Sequence, residues 1–220
     1  MNRIQLLWHS TIGKKVVMAV TGLIGIGFVI SHVASNVTIF SDPRHVDDYA
    51  KFLRGFGPLL WVARAVLVAA VILHVVAAVQ LTRRKQTARP VNYRDREPQV
   101  STLASRSMRW GGALLLAFIV FHLADLTWGW VNPGFVHLEP SRNMTLSLTR
   151  WPVALFYLAA MVSLGLHIWH GAWASIRSLG AARPKANPLH RVIPIVLAVA
   201  VAGGFAAIPL AYLFGFLPRP

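Results

Sequence analysis

VVMAVTGLIGIGFVISHVASN, residues 16–36, has the length and composition of a membrane crossing, and it carries one ionisable side chain, His32. About 20 apolar residues coiled as a helix cross roughly 30 Å of hydrocarbon. A helix satisfies its own backbone there, which an irregular chain in lipid does not. Working outward from this stretch, apolar runs of similar length recur. We read five spans at about 13–40, 58–82, 108–130, 152–176 and 192–216. They predict an all-α integral membrane bundle of five transmembrane helices, forming a single membrane domain over 1–220. Composition agrees: 55% of residues are hydrophobic, only 13% are charged, and mean hydropathy is +0.55. A soluble domain is nearer one quarter charged. The first run is too long for the apolar core of a signal peptide, and no A-x-A-like site follows it. Pro58 and Pro152 fall at helix starts, where a missing N–H costs least. Pro194 and Pro209 fall inside the fifth span and are expected to bend it. The absence of cysteine excludes thiolate metal sites, chain-bound Fe–S clusters and disulfides.

The formal charge of +15 would point to nucleic acid in a soluble protein. In a membrane chain it reports loops on one side, and an acidic or anionic partner. Fifteen of the 22 basic residues lie at the N-terminus and in the second and fourth loops, against seven on the other side with five of the seven acids. The positive-inside rule then places the N-terminus in the cytoplasm and the C-terminus outside. The expected surroundings are a lipid bilayer and an acidic partner, with no nucleic acid.

Nine histidines carry the functional question. His9, His45, His137 and His190 fall near span ends or in loops and read as solvated. His32, His74, His122, His167 and His170 fall inside spans, where ionisable groups are rare and face a bundle interior, a cofactor or a water path. Spans one to four each carry at least one and the fifth carries none. Depth sorts them. His32 lies 19 residues beyond Gly13 and His122 lies 14 beyond Met108, both past the middle of spans that run outward. His74 lies 16 residues beyond Pro58 and His167 lies 15 beyond Pro152, in spans that run inward. At about 1.5 Å per residue, two histidines share an outer level and two an inner level. A bis-imidazole haem needs two facing rings at one depth on different helices. Two such pairs predict two haems stacked across the membrane.

LHIWHGAW, residues 166–173, holds two histidines three apart. His167 and Gly171 share a face one turn apart, so Gly171 removes a side chain that would obstruct a flat macrocycle. His170 is about 60° around the helix, and one iron takes one ligand per face. We therefore expect His167 to be the ligand. His170 hydrogen-bonds a propionate or faces the interface. Trp173 packs near the ring or anchors the interface.

Four stretches in order carry a family resemblance: STIGKKVVMAVTG (10–22), GFVISHVASN (27–36), YAKFLRGFGPLLWVAR (49–64) and H-x-x-x-G-x-W (167–173). Together they resemble the cytochrome b subunit of succinate dehydrogenase, in the five-helix, di-haem form related to quinol:fumarate reductases. The resemblance implies two haem b groups, one held from helices one and three by His32 and His122, the other from helices two and four by His74 and His167. It implies partners as well, a flavoprotein that oxidises succinate and an Fe–S subunit, with menaquinone as acceptor. The setting would be a respiratory complex II of the tricarboxylic acid cycle in a bacterial cytoplasmic membrane. Electrons would pass from the Fe–S subunit to the inner haem, the outer haem and the quinone. Some fumarate-reducing relatives carry a glutamate just before the fourth-helix ligand; here that neighbourhood is SLGLH (163–167).

Weaker candidates surround these four. Asp125, one turn beyond His122, accepts an N–H bond, relays protons, sits at the quinone site, or is an interfacial acid. The first outer loop, residues 41–57, is the candidate wall of a quinone site, with His45, Asp47, Asp48, Tyr49 and Arg54 as hydrogen-bonding groups. Arg64 snorkels outward or pairs with a haem propionate. The basic stretch 83–109 is expected to dock the Fe–S subunit. Two rival readings remain: another haem-b anchor, of the hydrogenase or formate dehydrogenase type, and a haem-free transporter with a histidine proton relay. No clear inverted repeat, the sign of many transporters, is visible.

Overall fold

A computed structural model describes residues 2–88, 103–181 and 188–218. Eight α-helices form in order: α1 (Arg3–His9), α2 (Thr11–Asn36), α3 (Pro43–Gly55), α4 (Pro58–Thr87), α5 (Leu103–Leu126), α6 (Pro140–Leu148), α7 (Trp151–Ser178) and α8 (Leu189–Phe214). A 3-10 turn, Val37–Phe40, prolongs α2. Five helices, α2, α4, α5, α7 and α8, are long and apolar enough to cross a membrane. The chain is an all-α, multi-pass membrane bundle.

Local chemistry sets the helix starts. Asn2 and Gln5 form a capping box on α1, and the Ser10 hydroxyl accepts from Gly13 N at the start of α2. These bonds satisfy N–H groups that a helix start leaves open. Proline opens α3, α4, α6 and α7, where its fixed φ suits the first turn. Gly57 turns the chain between α3 and α4 at φ 51°, a conformation that costs a side-chain-bearing residue.

Several expected boundaries move. Residues 41–57 are mostly the helix α3, and not a loop: Asp42 caps Arg44 N, Pro43 opens the first turn, and Val46 is buried beneath it. The third span ends at Leu126, so 127–130 are turns outside the helix. The second extends to Thr87. The link before α7 holds a further helix, α6. Pro194 and Pro209 both lie inside α8, which continues through them.

The packing is uneven. The helix α7 packs against α8, α5 and α2, and α4 packs closely against α2 alone. α3 and α6 pack on each other at one end of the bundle. The larger apolar core sits at that end, where Ile39, Met144, Leu148, Tyr157 and Tyr212 meet. A second cluster, Ile168, Ala198 and Val201, fills the α7–α8 seam. Among the described residues neither cluster includes a residue of α4, and α5 fully buries only Ala104 and Asp125. The fully buried apolar clusters therefore do not extend to α4.

Candidate functional site

Four of the five span histidines, His32, His74, His122 and His167, come together in two pairs. The His32 and His122 ring centroids are 5.9 Å apart, and those of His74 and His167 are 6.0 Å apart. The first pair joins α2 to α5 and the second joins α4 to α7. Neither of those helix pairs packs closely, so each ring pair reaches across a gap between backbones. Two contacts fix the levels. His122 lies against Tyr157 on α7, ten residues before His167. His74 lies against Thr21 on α2, eleven residues before His32. At about 1.5 Å per residue both routes separate the pairs by roughly 15 Å along the bundle.

The spacing within each pair fits a metal held between two imidazoles. A metal–imidazole bond is about 2.0 Å, as seen for zinc, and a ring nitrogen sits about 1 Å from its own centroid, so ligands on opposite faces of one iron place their centroids roughly 6 Å apart. Among the described residues no group of three or more His, Asp or Glu gathers into a polyhedral metal site. The two rings of a pair would hold a group that brings its other donors itself, as a haem does.

A ligating histidine needs its other nitrogen to be held by an acceptor. His122 Nδ1 is 3.2 Å from the Tyr157 hydroxyl. That hydroxyl spends its one proton on Asp125 Oδ2 at 2.9 Å, so it accepts from His122. His74 Nδ1 lies 3.1 Å from the carbonyl of Met18, which accepts and never donates. Both rings thus carry the proton on Nδ1 and leave Nε2 free to coordinate. The other member of each pair is less tied. His32 Nδ1 lies 3.3 Å from Asn36 Nδ2, a donor. His167 Nδ1 is buried with no hydrogen-bond partner. Each pair therefore has one ring whose contacts leave Nε2 unprotonated, while Asn36, donating to His32 Nδ1, leaves the proton of that ring on Nε2.

Glycines make room for the second pair. A Cβ on Gly22 of α2 would stand 3.3 Å from His74 Cε1, and one on Gly112 of α5 would stand 3.9 Å from His167 Cε1. The position of Gly171 is open, with nothing within 4 Å of a built Cβ. Both observations fit rings that need free faces beside them.

The remaining candidates separate. Asp125 is fully buried, so it is not the interfacial acid that its place near a span end allowed. Its carboxylate receives Arg150 Nη2 at 3.2 Å, the Ser147 hydroxyl and the Tyr157 hydroxyl. Asp47 accepts from Ser141 N at 2.9 Å and Ser141 Oγ at 2.7 Å, tying α3 to the first turn of α6. Asp48 pairs with Lys51 on the exposed face. His45 and Arg54 are also exposed, and Tyr49 is half-buried beside Phe52. All five groups lie on α3. Arg64 stacks on Trp61 at 5.0 Å, lining an open groove with Ala65, Val68 and Ile72. Those residues occupy the α4 face turned away from His74. His170 is half-buried, 6.1 Å from Trp173, over which Arg177 lies. Of the basic stretch 83–109, residues 89–102 lie outside the described residues.

Tyr157, Arg150, Ser147, Gly22 and Gly112 are the residues that sequence reasoning missed. One signal pointed to the first three: a carboxylate inside a span needs a cation and donors at its own depth. No protein-family model, curated protein or solved structure matches this chain.

Proposed function

We propose that this chain is the di-haem b membrane anchor of a succinate:quinone oxidoreductase, with menaquinone as its quinone. The observation that carries the reading is the pair of histidine couples, 5.9 and 6.0 Å across, at two levels of the bundle. The resemblance of the four stretches quoted above supplies the family. His32 and His122 would hold one haem, and His74 and His167 the other. Haem b, when bound, supplies one-electron transfer, and its potential follows the axial ligands, their hydrogen bonds and burial. This chain does the holding: Tyr157 and the Met18 carbonyl orient His122 and His74, while α7 and α8 close one side of the bundle against lipid. Without cysteine or a dinucleotide fingerprint, succinate oxidation falls to a flavoprotein and an Fe–S subunit docked on the basic face. On this reading the N-terminus is cytoplasmic and the His32–His122 level lies nearer the outer surface of a bacterial cytoplasmic membrane.

The test is the reduced-minus-oxidised spectrum of the complex purified in mild detergent, with haem counted per chain. Two b haems reducible by succinate are expected. No haem would leave the transporter reading standing, and two haems reduced by hydrogen or formate but not succinate would move the chain to the other anchor class.

A further inference from the structure

The two histidine levels differ in what holds the oriented ring. At the His74 level the acceptor is a backbone carbonyl, Met18 O, supported by Thr21, whose own hydroxyl donates to Val17 O at 2.7 Å. At the His122 level the acceptor is a phenol wired to a buried carboxylate. Tyr157 OH donates to Asp125 Oδ2 at 2.9 Å. Asp125 is 0% exposed, and its other oxygen is closed by Arg150, which also donates to Val131 O at 3.0 Å. The relay His122–Tyr157–Asp125–Arg150 thus crosses from α5 to α7 and back, and it ends on the α5–α6 connection.

We propose that Tyr157 is a positioning residue that acts through His122, with Asp125 polarising its hydroxyl, so that the His32–His122 haem has a stronger donor ligand than its partner. The inference rests on the di-haem reading. The physical chain is short. A hydroxyl that gives its proton to a carboxylate is a better acceptor than a free one, because linked hydrogen bonds polarise one another. A better acceptor on Nδ1–H makes the imidazole more basic at Nε2. A more basic axial ligand favours ferric over ferrous iron and lowers the potential of that haem alone. A carbonyl acceptor at the other level lacks the negative end of this chain. The ring is also held in place: Tyr157 packs edge-on against Phe118 at 4.9 Å, so the hydroxyl has little freedom to leave.

The experiment is a redox titration of the purified complex carrying Tyr157→Phe, with electron paramagnetic resonance of the oxidised haems. Tyr157→Phe keeps the ring and removes the hydroxyl that accepts from His122 and donates to Asp125. We expect two haems per chain, an upward shift in the midpoint potential of one haem, and altered resonance of that haem only. It should be the haem that His32→Ala removes. Asp125→Asn should shift the same haem in the same direction and by less, since Tyr157 keeps its oxygen. Tyr157→His, which restores an acceptor, should return part of the shift. Unchanged potential and resonance in Tyr157→Phe, or equal shifts of both haems, would overturn the proposal. If Tyr157→Phe loses haem outright, Asp125→Asn decides between the outcomes. A parent complex with no haem would sink the di-haem reading itself, a separate result.

Discussion

Arg150→Ala removes the cation that closes the buried network between α5, α6 and α7, and its effect can be worked out without any cofactor. The Asp125 carboxylate is 0% exposed and Arg150 Nη2 stands 3.2 Å from its Oδ1. After the change, Ser147 and Tyr157 still donate to Oδ2, but the charge loses its counterion while remaining out of water. Removing one partner of a buried ion pair costs about 3–5 kcal/mol. The Arg150 side chain is 34% exposed, so solvent already weakens the pair and the lower end applies, about 3 kcal/mol. A chain of this size loses roughly 2–4 °C of Tm per kcal/mol, which gives a fall of about 6–12 °C. The Val131 carbonyl loses its donor too, so the turn after α5 should loosen with it. Asp125→Leu is the complement. It removes the buried charge and leaves Arg150 free to swing into water. Combined with Arg150→Ala it should cost clearly less than the two single changes added, because the second change has no stranded charge to create. The assay is thermal unfolding in detergent, followed by circular dichroism, for both singles and the double. A fall under about 2 °C for Arg150→Ala, on the same scale, with strictly additive costs, would refute the buried-pair argument.

The other predictions are simpler. His32→Ala and His122→Ala should each remove one and the same haem, His74→Ala and His167→Ala the other, and His170→Ala should keep both; haem counts and difference spectra read this out. Gly22→Leu should deplete the His74–His167 haem selectively, since even a Cβ there stands 3.3 Å from the His74 ring; unchanged haem content would contradict the close approach. Reversing Arg83, Arg84 and Lys85 to Glu should release the soluble subunits during purification, and full retention at raised salt would remove that face from the docking surface.

Much of this bundle was legible because a membrane turns sequence position into depth. His32 and His122 could be matched by counting residues from span ends, and so could His74 and His167. The rings then meet at about the same separation in both pairs. Rotation about a helix axis is not readable in the same way. Apolar residues surround each helix on all sides, so the period that betrays a buried face in a soluble helix is weak here. That is why the Tyr157–Asp125 contact went unseen, although both residues stand at the same depth. The helix α3 was missed for a different reason. PRHVDDYAKFLRG reads as polar, and polarity suggested a loop. Its capping aspartate and first-turn proline are ordinary helix-start signals, and they outweigh composition over a stretch this short. A first-turn proline, Pro140, opens α6 as well, there without a side-chain cap. Asp47 shows the limit of reading one element at a time, for its role is set by Ser141, 94 residues away.

The arrangement of the helices bears on why a bound group would be needed at all. Lipid supplies no hydrophobic drive between spans, so helices associate where small residues let them approach. Three of the five have such seams. Gly165 of α7 meets Ala202 of α8 closely, and Gly204 of α8 leaves no space for a Cβ against Val33 of α2. The α4 helix packs on α2, with Ala70 and Ala77 buried, and α5 packs on α7. Each histidine couple joins two helices that do not pack closely on each other: α2 to α5 by His32 and His122, α7 to α4 by His74 and His167. On the proposed reading the haems are therefore structural as well as redox groups. A ligand that binds only the assembled bundle stabilises it by mass action, and on that reading α5 and α4 would draw that stability from opposite levels.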